Sequence, residues 1–273
     1  MLSIIYYFLF GESEIMLNKD DLIVPVNEYV SIATINLDCI DVCESIVGQL
    51  VYLHECVKNI DIVMLQGCST RIPELLDGIK FEFNNDYFII VPVGYDENKS
   101  IDCRMPMTLI SKNKMIKYKE LPCSIWPEYF AYVCTYGVAE FKDNIKVRIL
   151  NLDSYYYLDG KRRMGGEWLW ERGAEYEVRN TCKNSFNASD ENVFLIACAI
   201  PHDINTTIDE YMVCIGKSER GKNGSSSRLY VDKHTVFTNY ITQEKFYMGK
   251  NLFKNEIIGC SISADVKIVW SRT

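Results

Sequence analysis

The sequence predicts an α/β protein, one domain of many strands with two or three helices. Three observations carry this. The chain opens with a strand, a helical stripe and a second strand over residues 31–66. Strand-length apolar segments bounded by turn residues then continue from residue 87 to residue 270. No internal repeat and no linker composition interrupts them, so residues 21–273 form a single domain, with 1–20 as an N-terminal leader or first strand.

Each element has its own signal. Ser31 to Leu37 is a buried strand running into a polar end. Cys43 to Lys58 places Ile46, Val47, Leu50, Val51, Leu53 and Val57 on a stripe of helical period. Asp61 to Gln66 is a second buried strand, which completes a βαβ-like unit. Tyr87–Val93, Met107–Ser111 and Met115–Leu121 are strands, the last two joined by a Lys112-Asn113-Lys114 turn. Tyr129–Phe141 and Ile145–Leu152 form a hairpin around Lys142-Asp143-Asn144. Gly166–Asn180 is helical in character, and Val193–Ile200 is apolar enough for a central strand. Thr207–Ile215 is expected as a short helix and Gly216–Arg228 as a polar loop. Val231–Tyr240 and Ile257–Trp270 are late strands.

Composition narrows the function. With 273 residues, 48 % of them hydrophobic, the chain buries a core that needs no staple. A net charge of -8 argues against broad gripping of nucleic-acid backbone, which calls for a basic face. The 11 cysteines include no C-x-x-C pair. The three histidines, His54, His202 and His234, complete no zinc pattern. The cysteines are therefore expected reduced and mostly in the core. Met1–Phe10 is apolar but has no positive n-region and no cleavage site, and it is too short to span a bilayer. The expectation is a cytoplasmic or nuclear protein that is neither secreted nor membrane-bound, and sequons such as Asn98-Lys-Ser then carry no glycan. The Ile, Asn, Lys and Tyr usage fits an AT-rich genome such as that of a DNA virus.

The chemistry-bearing residues begin at Thr34-Ile35-Asn36-Leu37-Asp38, followed by Gln66-Gly67 at the end of the next strand. This pair resembles the opening of the endonuclease/exonuclease/phosphatase (DNase I-like) superfamily. It is most similar to the 5′-tyrosyl-DNA phosphodiesterases, whose opening reads Thr-Trp-Asn-Ile-Asp. Later landmarks follow in order. Leu150-Asn151-Leu152-Asp153-Ser154 stands where those enzymes carry Ser-His-Leu-Glu-Ser. The end of Val193–Ile200 stands where they carry Gly-Asp-x-Asn, and Ser263-Ala264-Asp265 stands at their terminal Ser-Asp-His. The resemblance implies a four-layer α/β/β/α sandwich of two mixed sheets. The ends of Ile32–Asn36, Ile62–Gln66 and Val193–Ile200 would meet at one rim, where the family runs Mg²⁺-dependent phosphodiester cleavage.

The same resemblance implies that this chemistry has been dismantled. Gly67 replaces the principal Mg²⁺ ligand, a Glu. Cys198 and Ile200 replace the water-positioning Asp and Asn, and Asn151 and Asp265 replace the two histidines. Asn36, Asp38, Gln66 and Asp153 remain as relics. The expected function is that of a catalytically inactive relative with no metal or cofactor, binding a protein partner or holding a nucleic-acid end without cleaving it. The alternative is a divergent Mg²⁺-dependent phosphodiesterase with relocated ligands among Asp38, Asp153, Asp203 and Asp232. A third reading is an unrelated α/β protein sharing only the strand pattern.

Plainer roles compete at single positions. A lone Asn at a strand end, such as Asn36, more often forms a turn than binds metal. Gly67 can simply supply a positive φ in a strand-to-loop turn. Lys161-Arg162-Arg163 fits a solvated loop, and Lys217–Arg228 resembles a phosphate loop only in composition. Trp168 and Trp170 cannot share one helix face, and Tyr155-Tyr156-Tyr157 fits packing at a sheet rim as well as base stacking.

Overall fold

The structure is a computed structural model. It describes residues 29–37, 50, 53, 54, 57, 60–69, 73–95, 104–121, 134–142, 146–153, 157–158, 161–162, 193–201, 212–217, 225–232, 236–237, 242–246 and 259–267. Two mixed β-sheets pack face to face. Sheet A contains β1 (Tyr29–Asn36), β2 (Ile62–Ser69), β3 (Tyr87–Ile90) and β4 (Arg104–Ser111). Sheet B begins with β5 (Met115–Glu120), β6 (Cys134–Phe141) and β7 (Lys146–Asp153). After a small hairpin of β8 (Tyr157–Leu158) and β9 (Lys161–Arg162), it resumes with β10 (Val193–Pro201), β11 (Met212–Lys217) and β12 (Ser225–Asp232). The chain returns to sheet A with β13 (Val236–Phe237), β14 (Thr242–Phe246) and β15 (Gly259–Lys267).

Sheet A runs β13-β15-β1-β2-β4-β3, with β14 also on β15, and sheet B runs β11-β12-β10-β7-β6-β5. Each contains one parallel pair, β1 with β2 and β7 with β10. Between the sheets, Val30, Ile32, Ile62 and Met64 meet Val147, Ile149, Ala197, Leu229 and Val231 in one apolar layer. The other face of sheet A, with Ile35, Val63, Leu65 and Leu109, lies under helical residues Leu50, Leu53 and Val57 and under helix α1 (Pro73–Phe83).

Several expectations change. Helix α1 has no counterpart in the sequence reading, although Leu76, Ile79 and Phe83 bury one face of it. A Cβ built on its Gly78 would overlap Leu50 Cδ1, so the glycine permits close approach of the helical segments. Met212–Lys217 is a strand rather than the end of a helix, and Gly216–Arg228 is partly the β11–β12 pair rather than a loop. Lys161–Arg162 sits in a short strand. Strand β14 was not anticipated. The helix expected at Gly166–Asn180, with Trp168 and Trp170, lies outside the described residues, as do Met1–Phe10, His202, Asp203 and His234.

Candidate functional site

The parallel register brings four strand ends to one rim. Asn36 of β1 pairs with Gln66 of β2 in sheet A, and Asp153 of β7 pairs with Ala199 of β10 in sheet B. Ser227 of β12 stands opposite Ala199. This is the convergence expected for Ile32–Asn36, Ile62–Gln66 and Val193–Ile200.

Strand β2 bends at this rim. Its pairing with β4 slips between Leu65 and Cys68, so Gln66 and Gly67 together stand opposite the single residue Pro106. Proline has no N–H to give a ladder, and a bulge is where an interior strand tolerates one. Gly67 takes φ 76°, a left-handed conformation that glycine adopts without Cβ strain. The bulge turns its N–H toward sheet B, where it donates to Asp153 Oδ2 at 2.7 Å.

The neighbouring amides are saturated. Gln66 Oε1 accepts from Thr34 Oγ1 at 3.0 Å and from Ser227 Oγ at 3.3 Å. Gln66 Nε2 donates to Met64 O at 3.1 Å and to Asn151 Oδ1 at 2.7 Å. Asn151 Nδ2 in turn faces Leu65 O at 3.1 Å, Met107 O at 3.0 Å and Thr108 Oγ1 at 3.2 Å. Thr108 continues to Thr135 through a 2.6 Å hydroxyl pair. Gln66, Asn151 and Asp153 are all fully buried. Alternation puts Asn151 and Asp153 on one face of β7, so a single strand supplies both groups that tie sheet B to Gln66 and Gly67. Sequence reasoning quoted Thr34 within the opening motif but gave it no role, and it missed Thr108, Thr135 and Ser227, small hydroxyls that carry no signal of their own.

Other solved proteins share this architecture. No family model and no curated protein matches the sequence. Among solved structures, an endonuclease/exonuclease/phosphatase from Bacteroides vulgatus superposes with TM-score 0.59 at 11 % identity, over 89 % of this chain and 100 % of that one. A humanized D. rerio TDP2 gives 0.55 at 11 %, over 88 % and 99 %. TDP2 from C. elegans gives 0.54 at 14 %, over 87 % and 75 %. The fold is that of the endonuclease/exonuclease/phosphatase proteins.

The endonuclease/exonuclease/phosphatase fold sets where each candidate residue lies. Asn36 and Gly67 reach the rim; the side chain of Asn36 and all of Asp38 lie outside the described residues. Cys198 does not stand where it was expected. Ala197 belongs to the layer between the sheets, so Cys198 faces the opposite side of sheet B, in register with Leu152 and Arg228. Ala199 is the residue beside Asp153. Burial pushes the Cys198 thiol well above its usual range, despite the opposing pull of the Arg228 guanidinium. That cation was invisible in the sequence around Cys198.

Ile200 has the same offset as Cys198, because it pairs with Ser226 and not with Ser227. Asp265 is also displaced. It pairs with Ser31, whereas Asn36 pairs with Cys260, so Asp265 stands five positions from the rim, about 17 Å at strand rise. Asp232 lies five positions beyond Ser227 on β12, a similar distance away, and cannot share an ion with Asp153.

Among the described residues no three His, Cys, Asp or Glu side chains gather as metal ligands. Mg²⁺ needs several hard oxygen donors in near-octahedral geometry. The described rim offers the carboxylate of Asp153, one oxygen of which holds the Gly67 N–H. Its amide oxygens already accept from neighbouring donors, Gln66 Oε1 from two and Asn151 Oδ1 from Gln66 Nε2. The described donor set does not fit the ion.

Proposed function

We propose that this chain is a non-catalytic binding protein on the endonuclease/exonuclease/phosphatase fold, acting in the cytoplasm or nucleus by holding a protein partner. The observation that carries the reading is the Gly67–Asp153 hydrogen bond. At the position that the resemblance gives to a metal-binding Glu, the chain has a left-handed glycine. Its N–H occupies one oxygen of the nearest carboxylate, Asp153. Ala199 beside Asp153 supplies no group to orient a water, and Asn151 is bound on all sides by the sheets it joins. Losing a metal ligand and a water-activating group together removes most of a phosphodiesterase's rate enhancement.

The test is metal binding and turnover by the intact chain. Titration with Mg²⁺ or Mn²⁺ should give no binding heat, and EDTA should leave the melting temperature unchanged. A 5′-phosphotyrosyl DNA end, an abasic duplex and a phosphoinositide should all survive incubation with Mg²⁺. Gly67→Glu alone should not restore cleavage. Metal-dependent turnover that Asp38→Ala abolishes would overturn the reading in favour of a relocated-ligand enzyme.

A further inference from the structure

The outer face of sheet B changes character along its strands. Toward the rim its rows are apolar and buried, Leu150 beside Ile196 and then Leu152 beside Cys198. At the opposite end it is cationic. Tyr118, Ala139, Val147 and Ile149 pack into the layer between the sheets, so alternation turns their neighbours outward. The ladder sets these neighbours in two rows. Lys117 of β5, Glu140 of β6 and Lys146 of β7 are in register, and so are Lys119, Val138 and Arg148. Cations two residues apart on one strand stand about 7 Å apart, and those on β5 and β7 about 10 Å apart.

Four cations thus surround one carboxylate, and the second row has none. Among the described residues Lys117, Lys119 and Lys146 have no ion pair, not even with Glu140. Arg148 Nη1 donates to Tyr136 OH at 3.3 Å, a neutral partner that leaves its charge in place. Lys117 and Lys119 are exposed, and Lys142 just past β6 adds a further exposed cation. Asp143, in the turn before β7, lies outside the described residues. In a chain of net charge -8 this surface is a local feature and not the by-product of a basic protein. Like charges gathered on one face repel and cost stability, which an anionic counterpart would recover.

The groups among the cations select that counterpart. Proteins that grip single-stranded nucleic acid set aromatic rings among their cations for bases to stack on. Here the ring of β5, Tyr118, packs against the core. The outward neighbours are aliphatic: Val138 in the second row, and Ile116, 62 % exposed, at the β5 bulge. We propose that this end of sheet B docks an acidic segment of a partner protein, in which carboxylates alternate with aliphatic side chains. The carboxylates meet Lys117, Lys119 and Lys146, and the aliphatic groups meet Ile116 and Val138. The proposal rests on the reading of the chain as a protein-binding molecule for its class of partner. Its test reads binding and not cleavage, so turnover at the rim and failure of this surface are separate outcomes.

The experiment uses the full chain and a short fluorescein-labelled peptide of alternating glutamate and valine, read by fluorescence anisotropy. Binding should appear at low salt and weaken as salt is added. Lys119→Glu should weaken it about tenfold, because it sets like charges against each other. Lys80→Glu makes the same change in net charge on α1, which packs on the outer face of sheet A, and should leave binding unchanged. The double variant Lys117→Gln with Lys119→Gln changes two exposed side chains without reversing charge, and it should weaken binding while thermal melts stay at the parent value. Failure of the peptide to bind would overturn the proposal. So would equal effects of Lys119→Glu and Lys80→Glu, or equal binding of a peptide with glutamine in place of glutamate. A Lys119-dependent preference for oligothymidylate or for phosphatidylserine vesicles over the peptide would overturn it too, by giving the surface to a nucleic acid or a membrane.

Discussion

Strand β2 has a buried carboxylate fastened near each end, and the two fastenings differ in kind. At its start, Asp61 Oδ2 receives Ser31 N–H at 2.8 Å, Ser31 Oγ at 2.9 Å and Lys114 Nζ at 2.8 Å. Lys114 is half-exposed, so that cluster is charge-paired and reaches water. At its end, Asp153 receives the Gly67 N–H inside a fully buried set of neutral amides and hydroxyls. Only the second lies at the strand ends where the resemblance places phosphodiester chemistry. A buried carboxylate at a strand end is therefore no evidence of a site by itself. What matters is whether its lone pairs are open, and here both carboxylates hold backbone N–H groups.

The rim should be the more costly end to disturb. Asn151→Leu keeps the volume but removes donors to Leu65 O and Met107 O and takes from Gln66 Nε2 the shorter of its two bonds, leaving that to Met64 O. Each net hydrogen bond contributes about 1 kcal/mol and an abandoned buried partner costs more, so the expected loss is about 3 kcal/mol. Urea unfolding measures it. A loss below about 1 kcal/mol would mean that the network is not what joins the sheets here.

The far end should show itself in alkali instead. Tyr87 OH donates toward Val57 O at 2.8 Å and Ile60 O at 3.0 Å, tying a helical residue to the entry of β2. Burial, with help from the charges of Asp61 and Asp86, pushes its pKa up to about 12. The folded value is raised, so the unfolded phenol ionises first. The stability that Tyr87 contributes is complete below pH 10 and is lost as pH rises from there through about 12. The loss amounts to about 2 kcal/mol. Tyr87→Phe should flatten that part of the stability profile. An unchanged slope would show that the far end is not closed by this phenol.

These contrasts were only partly legible in the sequence. β1, β2 and β10 were readable because buried strands are continuous apolar runs. β11 was misread because its bulge between Cys214 and Gly216 breaks alternation, and its burial pattern then imitates a helix. Helix α1 was overlooked because Gly78 lowers helix propensity where packing against Leu50 requires it. At the rim, the need of Gly67 for a positive φ could be read from the residue type. Its partner could not, since Asp153 lies 86 residues away on another sheet. Cys198 and Ile200 are displaced by one residue and Asp265 by five, because a motif aligned by counting carries no register. A one-residue slip already turns a strand residue to the opposite face.

The bulge itself should tolerate change by backbone preference rather than by size. Gly67→Ala forces a Cβ into the left-handed region, at a cost of about 1 kcal/mol. Gly67→Asn should cost less, because asparagine visits that region more readily, and Gly67→Val should cost more. Thermal melts of the three variants give the order. If alanine and valine were equal to glycine, the left-handed turn would not be what directs the N–H at Asp153.

The smallest effect belongs to Lys114→Met, which keeps the aliphatic stem and removes the charge. Lys114 is half-exposed, so its pairing with Asp61 is screened by water and salt. The carboxylate, by contrast, is 4 % exposed and keeps two donors from Ser31 after the lysine has gone. Those donors are fixed by the β1–β2 register and do not depend on Lys114. The expected loss is about 0.5 to 1 kcal/mol, shrinking as salt is added. Unfolding titrations at low and high ionic strength measure both the loss and its trend. A loss as large as that of Asn151→Leu, insensitive to salt, would erase the distinction between the two ends of β2, because the far end would then depend on a fully desolvated ion pair rather than on a serine that holds its carboxylate in place.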